Sequence, residues 1–142
     1  MTCPPDIAPQ DAAFMQAFQP DVLDESGIFF IWGEINAMVA LSAIQFILRK
    51  NINPGELKEL KLVINSPGGT LSDALALIDV MKLSKLPIQT VGLGEICSCG
   101  LIVFINGEKG KRTITNNTAI LSHQFSTGVS GKEHELFAAN KE

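Results

Sequence analysis

The sequence predicts an α/β domain whose parallel sheet is covered by helices, and three observations carry that prediction. Leu60-Lys61-Leu62-Val63-Ile64 reads as a strand, Asn65-Ser66-Pro67-Gly68-Gly69-Thr70 as the loop after it, and Leu71 to Leu83 as a helix. In that helix Leu71, Ala74, Leu75, Ile78 and Met81 fall at helical spacing. Pro87 stops it, and Ile88-Gln89-Thr90-Val91 begins the next strand. Upstream, an apolar strand also precedes a helical segment, so two strand–helix steps come in succession. Such steps build parallel sheets buried under crossover helices.

The elements follow in order. Residues 1 to 26 hold Pro4, Pro5, Pro9 and Pro20 among Asp, Gln and Ala. Asp11 to Phe18 suits a short helix; otherwise the prolines favour an N-terminal arm or axial segment, loosely attached or docked on a neighbouring subunit. Residues 27–142 form the domain. Gly27-Ile28-Phe29-Phe30-Ile31-Trp32-Gly33 reads as a fully buried strand closed by glycine. Asn36 caps a helix running to about Lys50, with Val39, Ile44, Ile47 and Leu48 near helical spacing and Arg49 and Lys50 suiting its C-terminal end. Asn51 to Gly55 is a turn.

After Val91 comes the glycine-rich stretch Gly92-Leu93-Gly94-Glu95-Ile96-Cys97-Ser98-Cys99-Gly100. The run Leu101-Ile102-Val103-Phe104-Ile105 suits a strand by its β-branched residues and a helix by the topology. Asn106 to Lys111 is a turn. Arg112 to Thr115 and Ala119 to Ser122 read as two short strands about Asn116-Asn117, with His123 at the end of the second. Ser126 to Gly131 is flexible by composition, and Lys132 to Glu142 begins a polar amphipathic helix with Leu136 and Phe137 apolar.

Composition narrows the function. A chain of 142 residues predicts one domain, and 46% hydrophobic against 18% charged residues supplies a core. Net charge is −4 with a pI near 5.1 and no basic patch, so no nucleic-acid binding is expected. The apolar runs are too short to span a bilayer, and Met1-Thr2-Cys3-Pro4-Pro5-Asp6 does not resemble a secretory signal. Three cysteines argue against a disulfide framework and for a reducing compartment. Cys97 and Cys99 alone do not make a zinc site, so no metal is expected.

Three features can carry chemistry, and each has a structural reading beside it. Gly68-Gly69 after a strand is either a tight turn or a loop whose backbone N–H groups approach a ligand. No Gly-Lys-Ser/Thr follows, so it is not a phosphate loop and no nucleotide site is expected. Ser98 is either a packing residue of a glycine-rich turn or a nucleophile held at a strand-to-helix junction beside unpaired helix N–H groups. Ile96 stands where the Gly-x-Ser-x-Gly elbow has its first glycine. His123 is either a surface residue or the base that accepts the Ser98 proton. His134, between Glu133 and Glu135, reads as a solvated residue.

Taken together these features have one register. Ile64-Asn65-Ser66-Pro67-Gly68-Gly69, then Ser98-Cys99-Gly100, then Gly107-x-x-Gly110-Lys111-Arg112, then Ser122-His123-Gln124 is similar to the motif order of the proteolytic subunit of Clp protease, over about residues 27 to 132. The resemblance implies a crotonase-like α/β fold and serine endopeptidase activity on unfolded polypeptides. It implies Ser98 as nucleophile, His123 as general base, and the backbone N–H groups of Gly69 and Cys99 as oxyanion hole. It implies self-assembly into heptameric rings that stack as a tetradecamer, fed by a hexameric AAA+ Clp ATPase. That partner hydrolyses ATP, so this chain needs no cofactor. The expected location is the cytoplasm, with an organellar stroma or matrix, or a phage-encoded protein in its host, as alternatives.

The chain departs from that family in three places. The usual Gly-Gln-Ala-Ala-Ser-Met-Gly is here Gly94-Glu95-Ile96-Cys97-Ser98-Cys99-Gly100, the mark of a divergent member. Phe125 replaces the proline after His-Gln. No Asp occurs after Asp79, whereas the resemblance places the third triad member well beyond the histidine, so a C-terminal part is expected to be missing. Asp73 and Asp79, in the helix after Gly69, are not substitutes. Two alternatives remain at this level: a catalytically inactive subunit of a mixed ring, and an acyl-CoA hydratase or isomerase of the same broad fold.

Overall fold

The computed structural model describes residues 20–123. In chain order the elements are α1 (Pro20–Glu25), β1 (Ile28–Trp32), α2 (Ala37–Ile52), β2 (Leu60–Ser66), α3 (Leu71–Leu83), β3 (Ile88–Cys97), α4 (Cys99–Ile105), β4 (Arg112–Ile114) and β5 (Ala119–Leu121). The sheet runs β1-β2-β3-β4, with β5 also on β3, and every pair is parallel. The expected α/β arrangement is the one observed. The expected helix at Asp11–Phe18, the flexible stretch from Ser126 and the helix from Lys132 lie outside the described residues. Of the proposed arm, residues 20–25 form α1, where Asp24 pairs with both Arg49 and Lys50 of α2.

β2 is central, and its apolar side chains show it: Leu60, Leu62 and Ile64 are fully buried. They meet Phe46 and Ile47 of α2, Leu77 and Ile78 of α3, and Val103 of α4 in one continuous core. This face of the sheet therefore buries apolar area against the helices, the main favourable term in folding.

β1 corrects the sequence reading of a fully buried strand. Phe30 and Trp32 are 43% and 61% exposed, while Ile31 is buried. Among the described residues β1 pairs only with β2, at the sheet edge. Successive side chains alternate between faces, and only one face is packed, where Phe29 meets Phe46 at 5.3 Å between ring centroids.

α2 starts as expected, with the Asn36 carboxamide oxygen accepting from the Val39 N–H at 3.0 Å. It runs two residues past Lys50, and its buried stripe is Ala40, Ala43, Phe46 and Ile47, while Leu48 is half exposed. α3 has the expected bounds, but Pro87 does not end it. The helix stops at Leu83, where Ser84 turns the chain and its hydroxyl donates to the Leu86 carbonyl at 2.7 Å. Asn51 at the end of α2 donates to Ser84 Oγ at 3.0 Å and accepts from the Lys85 N–H, tying the two helix ends together.

Three further features shape the site. The glycine-rich stretch is not a loop: β3 continues through Gly92 and Gly94 to Cys97. Its register with β2 shifts between Ile64 and Ser66. Gly94 takes φ +64° beside the Asn65 carboxamide, which accepts the Glu95 N–H at 3.2 Å, so the bend is built around a residue without Cβ. The apolar run after Ser98 is a helix, α4, whose end is fastened to β3 by the buried Thr90 hydroxyl donating to the Phe104 carbonyl at 2.8 Å.

Last, β4 and β5 do not pair with each other. Both lie parallel on β3, β4 opposite Thr90–Gly92 and β5 opposite Glu95–Cys97. The turn at Asn116-Asn117 carries the chain past the bend, where Thr115 N–H and Thr118 Oγ1 both donate to the Gly92 carbonyl. Among the described residues no helix is long and apolar enough to cross a membrane.

Candidate active site

Ser98 stands between the last residue of β3 and the first of α4. Its backbone has φ 50° and ψ −122°, and among the described residues it alone takes a positive φ without being glycine. Such a conformation costs on the order of 1–3 kcal/mol and persists only where its surroundings enforce it. Here the Ser98 N–H donates to the Leu121 carbonyl of β5 at 2.9 Å, and the Ser98 carbonyl accepts from Leu101 and Ile102 in the first turn of α4. Both ends are thereby fixed while the half-buried hydroxyl stays at the C-terminal edge of the sheet.

The Gly68-Gly69 loop packs directly on this serine. A Cβ on Gly68 would lie 2.6 Å from Ser98 Cβ and 3.2 Å from the Cys99 nitrogen. The loop is held from two sides. From below, the fully buried Ser66 hydroxyl accepts the Gly68 N–H at 3.1 Å and lies 3.3 Å from its carbonyl oxygen. From the side, the Ile35 N–H donates to the Gly68 carbonyl at 2.7 Å, and the Ile35 carbonyl accepts the Thr70 N–H at 2.8 Å.

This bonding leaves one donor over. The Gly68–Gly69 peptide is trans, so with its carbonyl turned toward Ile35 its N–H points the opposite way. The Gly69 N–H has no acceptor among the described residues. Neither has the Cys99 N–H, which opens α4 and so has no partner one turn earlier. The Cys99 thiol donates to the Gly69 carbonyl at 3.3 Å, linking the two residues that carry these N–H groups. Two available donors beside a serine hydroxyl can stabilise negative charge developing on an attacked carbonyl oxygen.

His123 lies two residues beyond β5 and is exposed. The pairing of Cys97 with Leu121 brings Ser98 and His123 to the same end of adjacent parallel strands. Asp73 and Asp79 belong to α3, and Asp79 is exposed. Cys97 is buried, with its sulfur 3.9 Å from a Glu95 carboxylate oxygen. No group of three or more His, Cys, Asp or Glu able to hold a metal occurs among the described residues.

Sequence reasoning brought forward Ser98, His123, Gly69 and Cys99 but passed over the side chain of Ser66 and the backbone of Ile35. A serine between a buried strand and Pro-Gly-Gly was the available signal for the first. Nothing in the sequence signals the second, since it acts only through its main chain.

Fold and site together define a class: a crotonase-like α/β protein with a strained serine at a strand–helix junction, faced by a double-glycine loop. The chain belongs to the Clp protease family, whose model matches residues 12–142, a wider span than the motifs alone marked out. Over 116 residues it is 35% identical to a protein of Rhodopirellula baltica named ATP-dependent Clp protease proteolytic subunit 1. That alignment covers 82% of this chain and 51% of the relative, so the chain spans about half the length of the curated relative it matches.

Proposed function

We propose that this chain carries the nucleophile-bearing part of a serine endopeptidase subunit. The carrying observation is Ser98, held at φ 50° beside two N–H groups without acceptors among the described residues. Ser98 Oγ attacks the scissile carbonyl while His123 takes its proton. The developing oxyanion is received by the N–H groups of Gly69 and Cys99, each worth about 3 kcal/mol in the transition state. His123 returns the proton to the leaving amine, and water then repeats the sequence on the acyl-enzyme. This chemistry needs no cofactor in the chain.

Membership of the family supports a wider reading. The subunit assembles into rings, with heptamers stacked as a tetradecamer in the full assembly. It cleaves unfolded polypeptides in their chamber and receives them from a hexameric AAA+ ATPase that hydrolyses the ATP. The cytoplasm suits this role. The strained serine counts against an inactive subunit, which has no use for such a conformation.

A fluorophosphonate tests the reading. The parent chain is expected to gain one phosphonyl group by intact mass, and Ser98→Ala none. Equal labelling of both would remove Ser98 from the role. Absence of any adduct on the parent would show that Ser98 is not activated in this chain.

A further inference from the structure

We propose that Cys99 is a positioning residue of the oxyanion hole, its buried thiol fixing the Gly69–Thr70 peptide through the hydrogen bond to the Gly69 carbonyl oxygen. The inference rests on the reading of Gly69 and Cys99 as the two hole donors. It adds a role for a side chain where that reading uses only a backbone.

Gly69 is the soft point of the hole. It has φ +147°, a region glycine enters freely, and no side chain to anchor it. Rotation about its two backbone bonds would swing its N–H away from that of Cys99. The peptide before Gly69 is fixed by Ile35 and Ser66, as described above. The peptide after it has two handles. Its N–H, on Thr70, donates to the Ile35 carbonyl at 2.8 Å. Its carbonyl, on Gly69, accepts from the Cys99 thiol at 3.3 Å. With both planes held, the Gly69 N–H has one direction.

The second handle comes from the residue that supplies the other N–H of the hole. The distance between the two donors is thus set by one short covalent path plus one hydrogen bond. Cys99 is 2% exposed, so its thiol has no water to donate to in place of the Gly69 carbonyl, although Gly69 itself is exposed. An apolar residue at this position would fill the space without making the tie. This separates positioning from packing.

The test compares Cys99→Ser, which keeps a donor but fits an apolar site poorly, with Cys99→Ala, which does the reverse. The rate of Ser98 phosphonylation by a fluorophosphonate is followed in the full chain, with circular dichroism confirming the fold. Cys99→Ser is expected within about threefold of the parent, and Cys99→Ala roughly fivefold or more slower, the size of one neutral hydrogen bond. If Cys99→Ala does not fold, Cys99→Val takes its place. An apolar variant as fast as the parent overturns the proposal, and so does Cys99→Ser slower than the apolar variant, which is the order packing alone would give.

A parent that takes no label defeats the peptidase reading instead. The tie itself is then decided by infrared spectroscopy. The S–H stretching band removed by Cys99→Ser should lie below the frequency of a free thiol, and an unshifted band overturns the tie.

Discussion

At Gly69 an added Cβ would stand 2.1 Å from the Ile35 carbonyl oxygen, at a φ of +147° that no L side chain favours. Both the clash and the strain act on the loop that faces Ser98. Gly69→Ala is therefore expected to cost about 3 kcal/mol in urea unfolding and to abolish phosphonylation of Ser98. A variant of parental stability would mean that the loop moves aside. Ser98 itself differs, because Ala keeps the same backbone and loses only a hydroxyl from a half-buried residue. Ser98→Ala should leave the unfolding midpoint within a few tenths of a kcal/mol while removing the label. Both changes sit at the site, yet one is a matter of folding and the other of chemistry.

At the scale of elements, α4 is a short helix of seven residues fastened at both ends. The Thr90 hydroxyl of β3 holds its C-terminal end through the Phe104 carbonyl. The Ser98 carbonyl begins its first turn. Thr90→Val keeps the shape but removes one donor from the Phe104 carbonyl, which keeps the Gly107 N–H at 3.2 Å, so a loss of about 1 kcal/mol is expected in thermal or urea unfolding. Since α4 carries the Cys99 N–H at its other end, the labelling rate should fall as well. An unchanged rate in a destabilised variant would show that the two ends of α4 are mechanically independent.

Across the whole molecule, the edge formed by β4 is tied to the entrance of β2 by Lys111 and Glu59. The hydrogen bond from Lys111, and then its charge, hold the Glu59 carboxyl below its ordinary value of 4.5, against the opposing effect of desolvation. The folded pKa is lower than the unfolded one. The contribution to stability is thus complete above the unfolded value and is lost as pH falls through the folded one. Acid unfolding of Glu59→Gln should accordingly be less steep below pH 4.5 than that of the parent, the gap closing in high salt because the pair is exposed. Parallel titration curves for the two proteins would assign the acid sensitivity elsewhere.

By itself the sequence determined the parallel α/β architecture and picked out Gly69, Ser98 and Cys99, which the fold brings together. Helical and strand periods, the Asn36 cap, Gly68-Gly69 after a strand and Ser98 after a β-rich run are local signals, and local signals survive without a fold. The tertiary structure decided what depends on neighbours. Whether Phe30 and Trp32 are covered depends on what lies beside β1, which its apolar composition does not state. Whether Leu101–Ile105 is strand or helix depended on β3 already filling the sheet. Whether two short strands form a hairpin or both dock on β3 depended on the length of β3 and its bend at Gly94. The site shows the same division. Ser98 and Gly69 were legible as residue types in a register, but the Gly69 N–H is left over only because Ile35 and Ser66 hold its peptide. The Ile35 half of that constraint arises between segments some thirty residues apart and exists in neither of them alone.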